Sequence, residues 1–482
     1  MSNPFSRNLT MLTDFYEITM ANGYFCENMG EAEASFDIFF RRPPDNGGFA
    51  IMAGLDQVID YLENLHFSES DIEFLRSTGI FSEQFLDYLA NFKFCCDVWA
   101  VPEGMPIFPS EPIVTVKGPM IQAQFVETAL LLTVSHQTLI ATKSNRIKRA
   151  ANGRAVMEFG ARRAQGYDGA VYGARAAYIG GCDSTSCVTA GKMFDIPVSG
   201  TMAHSWVQMF QNEYDAFEAY ARNYPDGCVL LIDTYNVLKS GLPNAIKVFD
   251  NVLAPMGKRP LGVRIDSGDI TYLSKKIRKV LDEAGYPDCK IVASNSLDEY
   301  IIRDMLGQGA RIDSFGVGER LITSSLSPVL GGVYKLSAVW DDGGNMIPKI
   351  KLSENVEKIT IPAFKKVWRL YDRESGKAIA DVITHFDEEI DDTKPYEIFD
   401  PEHTWKRKTV TDFYAKVITA RVFERGKCVY PRYTVAQLHD YCREQTETLW
   451  DEVRRFENPH SYYVDLSQKL WDTKQKLLSE HK

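Results

Sequence analysis

No apolar stretch in this 482-residue sequence approaches the ~18 residues that a membrane-spanning helix needs. The beginning, MSNPFSRNLTMLTDFYEITM, lacks the basic patch and apolar run of a secretory leader, so the expected location is the cytoplasm and no membrane partner is expected. Basic charge is also in deficit: 54 Lys and Arg against 65 Asp and Glu leave a net charge of −11. Such a surface repels phosphate backbones, so nucleic acid is not an expected partner, and an anionic small substrate would need a locally basic pocket. The nine cysteines form no CxxC pair and no zinc-ligand spacing, which excludes a zinc module and points to reduced, mostly buried thiols. Internal repeats and low-complexity runs are absent.

What remains is an ordinary globular composition, 45% hydrophobic and 25% charged. The length suggests about three domains' worth of chain, although α/β barrels often exceed 200 residues as one unit. Leu55, Val58, Ile59, Leu62 and Leu65 follow helical spacing, and Ile72, Leu75, Phe85, Leu86 and Leu89 repeat it in short neighbours. From 93 to 118, apolar residues interrupted by Pro and Gly predict short strands and tight turns. A long helix is expected from about Gln122 to Ala150. From residue 154, seven short β-rich segments alternate with helical ones: AVMEF, IPVSG, CVLLID, LGVRID, KIVASN, IDSFGVG and VYKLSAV. Runs buried on both faces with helical crossovers predict a parallel α/β barrel rather than an open sheet. The expected organisation is an amino-terminal α+β domain over 1–140, a catalytic barrel over 141–345, and a charged carboxy-terminal segment over 346–482 that packs back on the amino-terminal part without a core of its own. The fold class is thus α/β, an irregular barrel with a second α+β domain built from both chain ends.

In a barrel, functional groups gather where strands end, and six consecutive ends here are polar. They carry Arg162 and Arg163; Thr201, His204 and Ser205; Asp233; Asp266 and Asp269; Asn295; and Gly316, Gly318, Glu319 and Arg320. Paired arginines supply forked donors to phosphate or carboxylate, or else a surface ion pair. Gly316 and Gly318 would free backbone N–H groups for a phosphate. Asp266 and Asp269 around Ser-Gly could hold Mg²⁺ with a diphosphate or accept from ribose hydroxyls; an Asx turn explains them equally well. His204 stands among small residues where an imidazole is reachable, and Asp233, one strand away, could fix its tautomer and leave the other nitrogen as nucleophile.

The segments LTDFYEITMANGYF, EFGARRAQG, GTMAHS, DTY, GVRIDSGD, SNSLDE, GVG and GGVYKL resemble, in order and spacing, the nicotinate phosphoribosyltransferase family, over about residues 9 to 370. The resemblance implies a type II phosphoribosyltransferase fold working as a homodimer. It implies a ligase-class reaction of nicotinate and phosphoribosyl pyrophosphate, with Mg²⁺ as cofactor and ATP as co-substrate, in NAD biosynthesis. Tyr16 resembles the ring that stacks on the pyridine and enters the partner's site. Arg162 and Thr201, with Ser205 beside them, match positions near nicotinate, and Arg264 the reader of its carboxylate. His204 resembles the phosphorylated histidine, oriented by Asp233, while Asp266, Asn295, Gly316 and Gly318 resemble the ribose and phosphate contacts. Where many relatives have Gly-Thr, this sequence reads Gly318-Glu319; a carboxylate cannot donate to phosphate, so that contact would pass to Arg320. Nicotinamide and quinolinate phosphoribosyltransferases share this fold, and a non-enzymatic sugar-phosphate-binding barrel is the alternative of a different class.

Overall fold

A computed structural model describes residues 7–355 and 358–480, so the first part of the leader reading lies outside the described residues. The chain divides into two compact units, one built from 1–142 with 329–482 and the other from 143–328.

The first unit is held by a seven-stranded antiparallel sheet. Its order is Met346–Pro348, Val333–Trp340, Glu33–Phe39, Val114–Pro119, Asp97–Ala100, Ala420–Glu424 and Lys427–Cys428. The helices Leu55–Glu63, Glu69–Ser77 and Glu83–Ala90 bury the apolar stripes expected of them into one core with Ile38, Val98 and Val116. Two departures from the sequence-based expectation stand out. VYKLSAV, expected as the last barrel strand, pairs with Glu33–Phe39 in this sheet, so the boundary falls at 328 rather than 345. The charged tail forms a second sheet, Phe413–Val417, Lys365–Asp372, Ala378–His385 and Val464–Leu466. Val367, Ile383 and Leu466 of that sheet join the main core, whereas Trp368, Leu370, Ala380, Val382 and Phe413 form a smaller one of their own. The fully buried Arg369 donates to Asp381 from Nε at 2.8 Å and Nη2 at 2.6 Å, which is how charge is accommodated inside a sheet covered on both faces.

The second unit carries parallel strands at Ala155–Glu158, Ser184–Thr185, Val229–Leu231, Gly262–Ile265, Lys290–Ser294 and Ser314–Val317. Neighbours follow chain order, and the last strand pairs back on the first. IPVSG contributes a single bridge, Val198 to Thr185, rather than a strand, and the ring of pairings is interrupted between it and Val229. This is an incomplete α/β barrel. Helices such as Gly166–Ile179, Ile270–Glu283 and Glu299–Gly307 alternate with the strands, the last two capped by Asp269 and Asp298.

Candidate active site

The strand Val229–Leu231 and its extension deliver Asp233 to a position where its side chain is almost wholly buried. Its Oδ2 accepts from the Asp266 backbone N–H at 2.8 Å and from Ser267 Oγ at 2.7 Å. Its Oδ1 is buried without a hydrogen-bond partner and lies 4.0 Å from His204 Nε2. His204 opens the short helix His204–Gln208, with its side chain 40% exposed and Nδ1 3.1 Å from Thr234 Oγ1. A buried carboxylate oxygen left unpaired is costly, and the imidazole is the group it faces.

The next strand, Gly262–Ile265, carries Arg264, whose guanidinium is held on several sides. Nε donates to Ser294 Oγ at 2.9 Å, and Nη1 to Thr201 Oγ1 at 3.1 Å and the Met202 carbonyl at 3.4 Å. Its carbon sits 5.8 Å from the centroid of the Phe159 ring. Gly316 makes room for that ring: a Cβ there would stand 2.6 Å from it. Burial pulls the Arg264 pKa down, opposed by Asp266 and Asp233 and helped by Arg162, which places Arg162 within electrostatic reach. Asp266 is partly exposed; its Oδ1 accepts from Ser294 Oγ at 2.9 Å and its Oδ2 lies 3.7 Å from Arg264 Nη2.

Glu158 anchors the arginine loop. Fully buried, it accepts from the Gly160 N–H and, at 2.6 Å, from Thr185 Oγ1, and burial raises its pKa against those two hydrogen bonds. Arg162 projects from the following turn, Ala161–Arg163, into solvent. Glu319 lies 3.7 Å from Arg163, and Arg320 is paired with Asp298, so the cation expected to replace a phosphate donor is already tied to a buried carboxylate. Asn295 has φ 108°, a strained backbone for any residue but glycine and a frequent mark of functional loops.

Six expected residues thus converge directly: Thr201, His204, Asp233, Arg264, Asp266 and, through Phe159, Gly316. Ser205 is exposed, and Asp269 Oδ1 accepts the Tyr272 N–H as a helix cap, which leaves Asp266 the better placed carboxylate. Among the described residues, no group of three or more His, Cys, Asp or Glu is arranged to hold a metal. Tyr16 belongs to the first unit, on the helix Phe15–Cys26. It is 45% exposed, and Phe15 and Met20 are exposed with it, whereas Glu17, Ile18 and Ala21 of this helix are buried. Sequence reasoning missed Glu158, Phe159 and Ser294; a polar residue closing an apolar strand was the available signal for Glu158 and Ser294.

Three models of the nicotinate phosphoribosyltransferase family match this chain: the N-terminal domain over residues 11–135, the family domain over 154–345 and the C-terminal domain over 364–474. The likeness therefore continues past residue 370. The chain is 45% identical to nicotinate phosphoribosyltransferase of Bacillus subtilis (strain 168), covering 98% of this chain and 96% of that one. It is 35% identical to the Dictyostelium discoideum enzyme of that name, covering 96% and 87%. The crystal structure of human nicotinic acid phosphoribosyltransferase aligns with a TM-score of 0.85 at 29% identity, covering 96% of this chain and 99% of that one.

Proposed function

The chain belongs to the nicotinate phosphoribosyltransferase family, and from that premise we propose how its residues carry out an ATP-coupled synthesis of nicotinate mononucleotide. It is a phosphoribosyltransferase of NAD biosynthesis that moves the phosphoribosyl group of phosphoribosyl pyrophosphate onto nicotinate. In the transfer, the pyridine nitrogen uses its lone pair to form the bond to the anomeric carbon, and the bond from that carbon to pyrophosphate breaks. The nitrogen is already a nucleophile, so no general base is required. Arg264, with Arg162 and Thr201 near it, reads the nicotinate carboxylate. Asp266 faces the sugar and helps offset the positive charge that develops at the anomeric carbon. Asn295, Gly316 and Gly318 line the phosphate side. Mg²⁺, when bound with the diphosphate, supplies charge neutralisation of the leaving group, with Asp266 as the protein carboxylate.

The observation that carries ATP coupling is the unpaired Asp233 Oδ1 facing His204 Nε2. A proton on Nε2 turned toward this carboxylate leaves the lone pair on Nδ1, where it accepts from Thr234 Oγ1; once that hydroxyl turns away, Nδ1 attacks the γ-phosphorus as ADP leaves. The resulting phosphoramidate is later hydrolysed to inorganic phosphate, and its free energy favours the transfer. A barrel that only bound sugar phosphates would have no use for this pair. The working protein is a homodimer in the cytoplasm, with Tyr16 of one copy stacking on the pyridine bound by the other. Pyrophosphate release measured with nicotinate, nicotinamide and quinolinate, each with and without ATP, tests the reading. Nicotinate should be the best substrate and ATP should raise its turnover; indifference to ATP would remove the coupling.

A further inference from the structure

Three N–H groups of Arg264 are engaged inside the protein, by Ser294, Thr201 and Met202, and its Nη2 side is left near Asp266. Of these partners Ser294 stands apart. It closes the strand Lys290–Ser294, is 3% exposed, and its hydroxyl has two charged partners. It accepts from Arg264 Nε and donates to Asp266 Oδ1, each at 2.9 Å. A hydroxyl has one proton; giving it to Asp266 turns the oxygen lone pairs toward the guanidinium. Ile291, Val292 and Ala293 already bury the strand, so the hydroxyl is not needed to hold it in the sheet.

We propose that Ser294 is a positioning residue shared by the two halves of the reaction: it sets the plane of Arg264 for the nicotinate carboxylate and holds Asp266 toward the sugar diphosphate. The inference rests on the functional reading given above. Without the hydroxyl, Arg264 keeps its charge and its Nη1 contacts but loses the acceptor that fixes Nε. Asp266 in turn loses a charge-assisted donor and is free to swing onto Nη2, closing the edge that the substrate carboxylate would use.

The test is steady-state kinetics of Ser294→Ala on nicotinate, nicotinamide and phosphoribosyl pyrophosphate, with a melting curve of the same preparation. The KM for nicotinate should rise by about tenfold to a hundredfold, the range expected for losing a hydrogen bond to a charged group. The KM for phosphoribosyl pyrophosphate should rise with either pyridine, because the loss at Asp266 is common to both; at saturating phosphoribosyl pyrophosphate, kcat/KM should fall about tenfold further on nicotinate than on nicotinamide, since a neutral amide makes no charge pair with Arg264. Ser294→Thr retains the hydroxyl and should recover most of the loss, whereas Ser294→Cys should behave like Ala. In an Arg264→Lys background, which has no Nε–H, Ser294→Ala should leave the nicotinate KM unchanged yet still raise that for phosphoribosyl pyrophosphate. Equal losses on nicotinate and nicotinamide together with a lowered Tm would make Ser294 merely structural and overturn the proposal. So would KM values within about twofold of wild type, because a lost charged hydrogen bond costs more than that. Wild-type protein inert toward nicotinate would instead remove the functional reading and the proposal with it.

Discussion

Asp233 divides its two oxygens between two tasks: Oδ2 takes hydrogen bonds from Asp266 and Ser267, and Oδ1, buried and unpaired, faces His204 Nε2 at 4.0 Å. The first pair of bonds fixes the carboxylate, so its second oxygen presents a steady negative charge to the imidazole. Replacing Asp233 by Asn should preserve the Oδ2 contacts while removing that charge. We expect ATP-dependent stimulation to fall by about tenfold or more in Asp233→Asn, in line with the loss of one charged contact, with basal transfer reduced less. Incubation with γ-labelled ATP should give an acid-labile, base-stable label in wild-type protein and none in His204→Ala; equal labelling of both would exclude His204 as the acceptor.

The barrel and much of the site were legible because parallel strands buried on both faces read as short apolar runs, and the polar residues that end them then mark one rim. Asp266, His204 and Asp233 were found in this way, whereas Arg264, which lies inside its strand, was singled out only by the family resemblance. VYKLSAV has the same apolar look, and periodicity carries no information about which sheet an apolar run joins; its partner, Glu33–Phe39, lies some three hundred residues away. The tail misled for a related reason. Composition counts Arg369, Asp381 and Lys365 as solvent-facing charge, but Arg369 pairs with Asp381 and Lys365 with Asp37 in the interior. Ser294 and Glu158 escaped because a polar residue closing an apolar strand marks a position only, and their roles are set by groups brought from neighbouring strands.

Tyr16 projects from its helix next to Glu127, whose carboxylate meets the phenol; burial and that negative neighbour raise the Tyr16 pKa. If this ring completes the partner's site, each dimer has two composite sites. Tyr16→Ala and His204→Ala proteins should each lose ATP-stimulated turnover. Mixed and allowed to exchange subunits, they should recover about a quarter of wild-type activity, since half of the dimers are hybrids with one intact site each. No recovery after subunit exchange has been verified by mass spectrometry would exclude a shared site.

Glu17 is fully buried beside Tyr16 and accepts from Thr13 Oγ1, from Thr128 Oγ1 and from the Thr128 N–H at 3.1 Å. Burial pushes its pKa up to about 7 from an ordinary 4.5, against those hydrogen bonds. A carboxyl whose folded value is raised contributes stability that is full below its unfolded value and is lost as pH rises through the folded one. The window is therefore pH 4.5 to about 7. Glu17→Gln cannot ionise, so its Tm should match wild type near pH 4.5 and exceed it increasingly up to pH 7, then run parallel. The difference at pH 8 is of order 3 kcal/mol at most. A gap that does not change with pH would show that Glu17 does not ionise across this range.

Acid and amide forms of the pyridine differ by one charge at almost equal size, so shape alone discriminates weakly and the pocket must read charge. Arg264 is placed to do this: it is largely buried, with three of its donors engaged and the Nη2 edge remaining, and Arg162 adds a second cation within electrostatic reach. A desolvated guanidinium–carboxylate contact gains a charge-assisted hydrogen bond of about 1.5 to 3 kcal/mol that the amide cannot fully repeat, because its NH₂ sets a donor against a donor. Two such contacts correspond to a preference for the acid of about a hundredfold or more. Arg264→Gln removes the charge while leaving an amide in its place, so kcat/KM on nicotinate should fall by about that factor while activity on nicotinamide changes little. The ratio of the two substrates should then approach one, and equal turnover of nicotinate and nicotinamide by the wild-type protein would show that Arg264 does not read the charge at all.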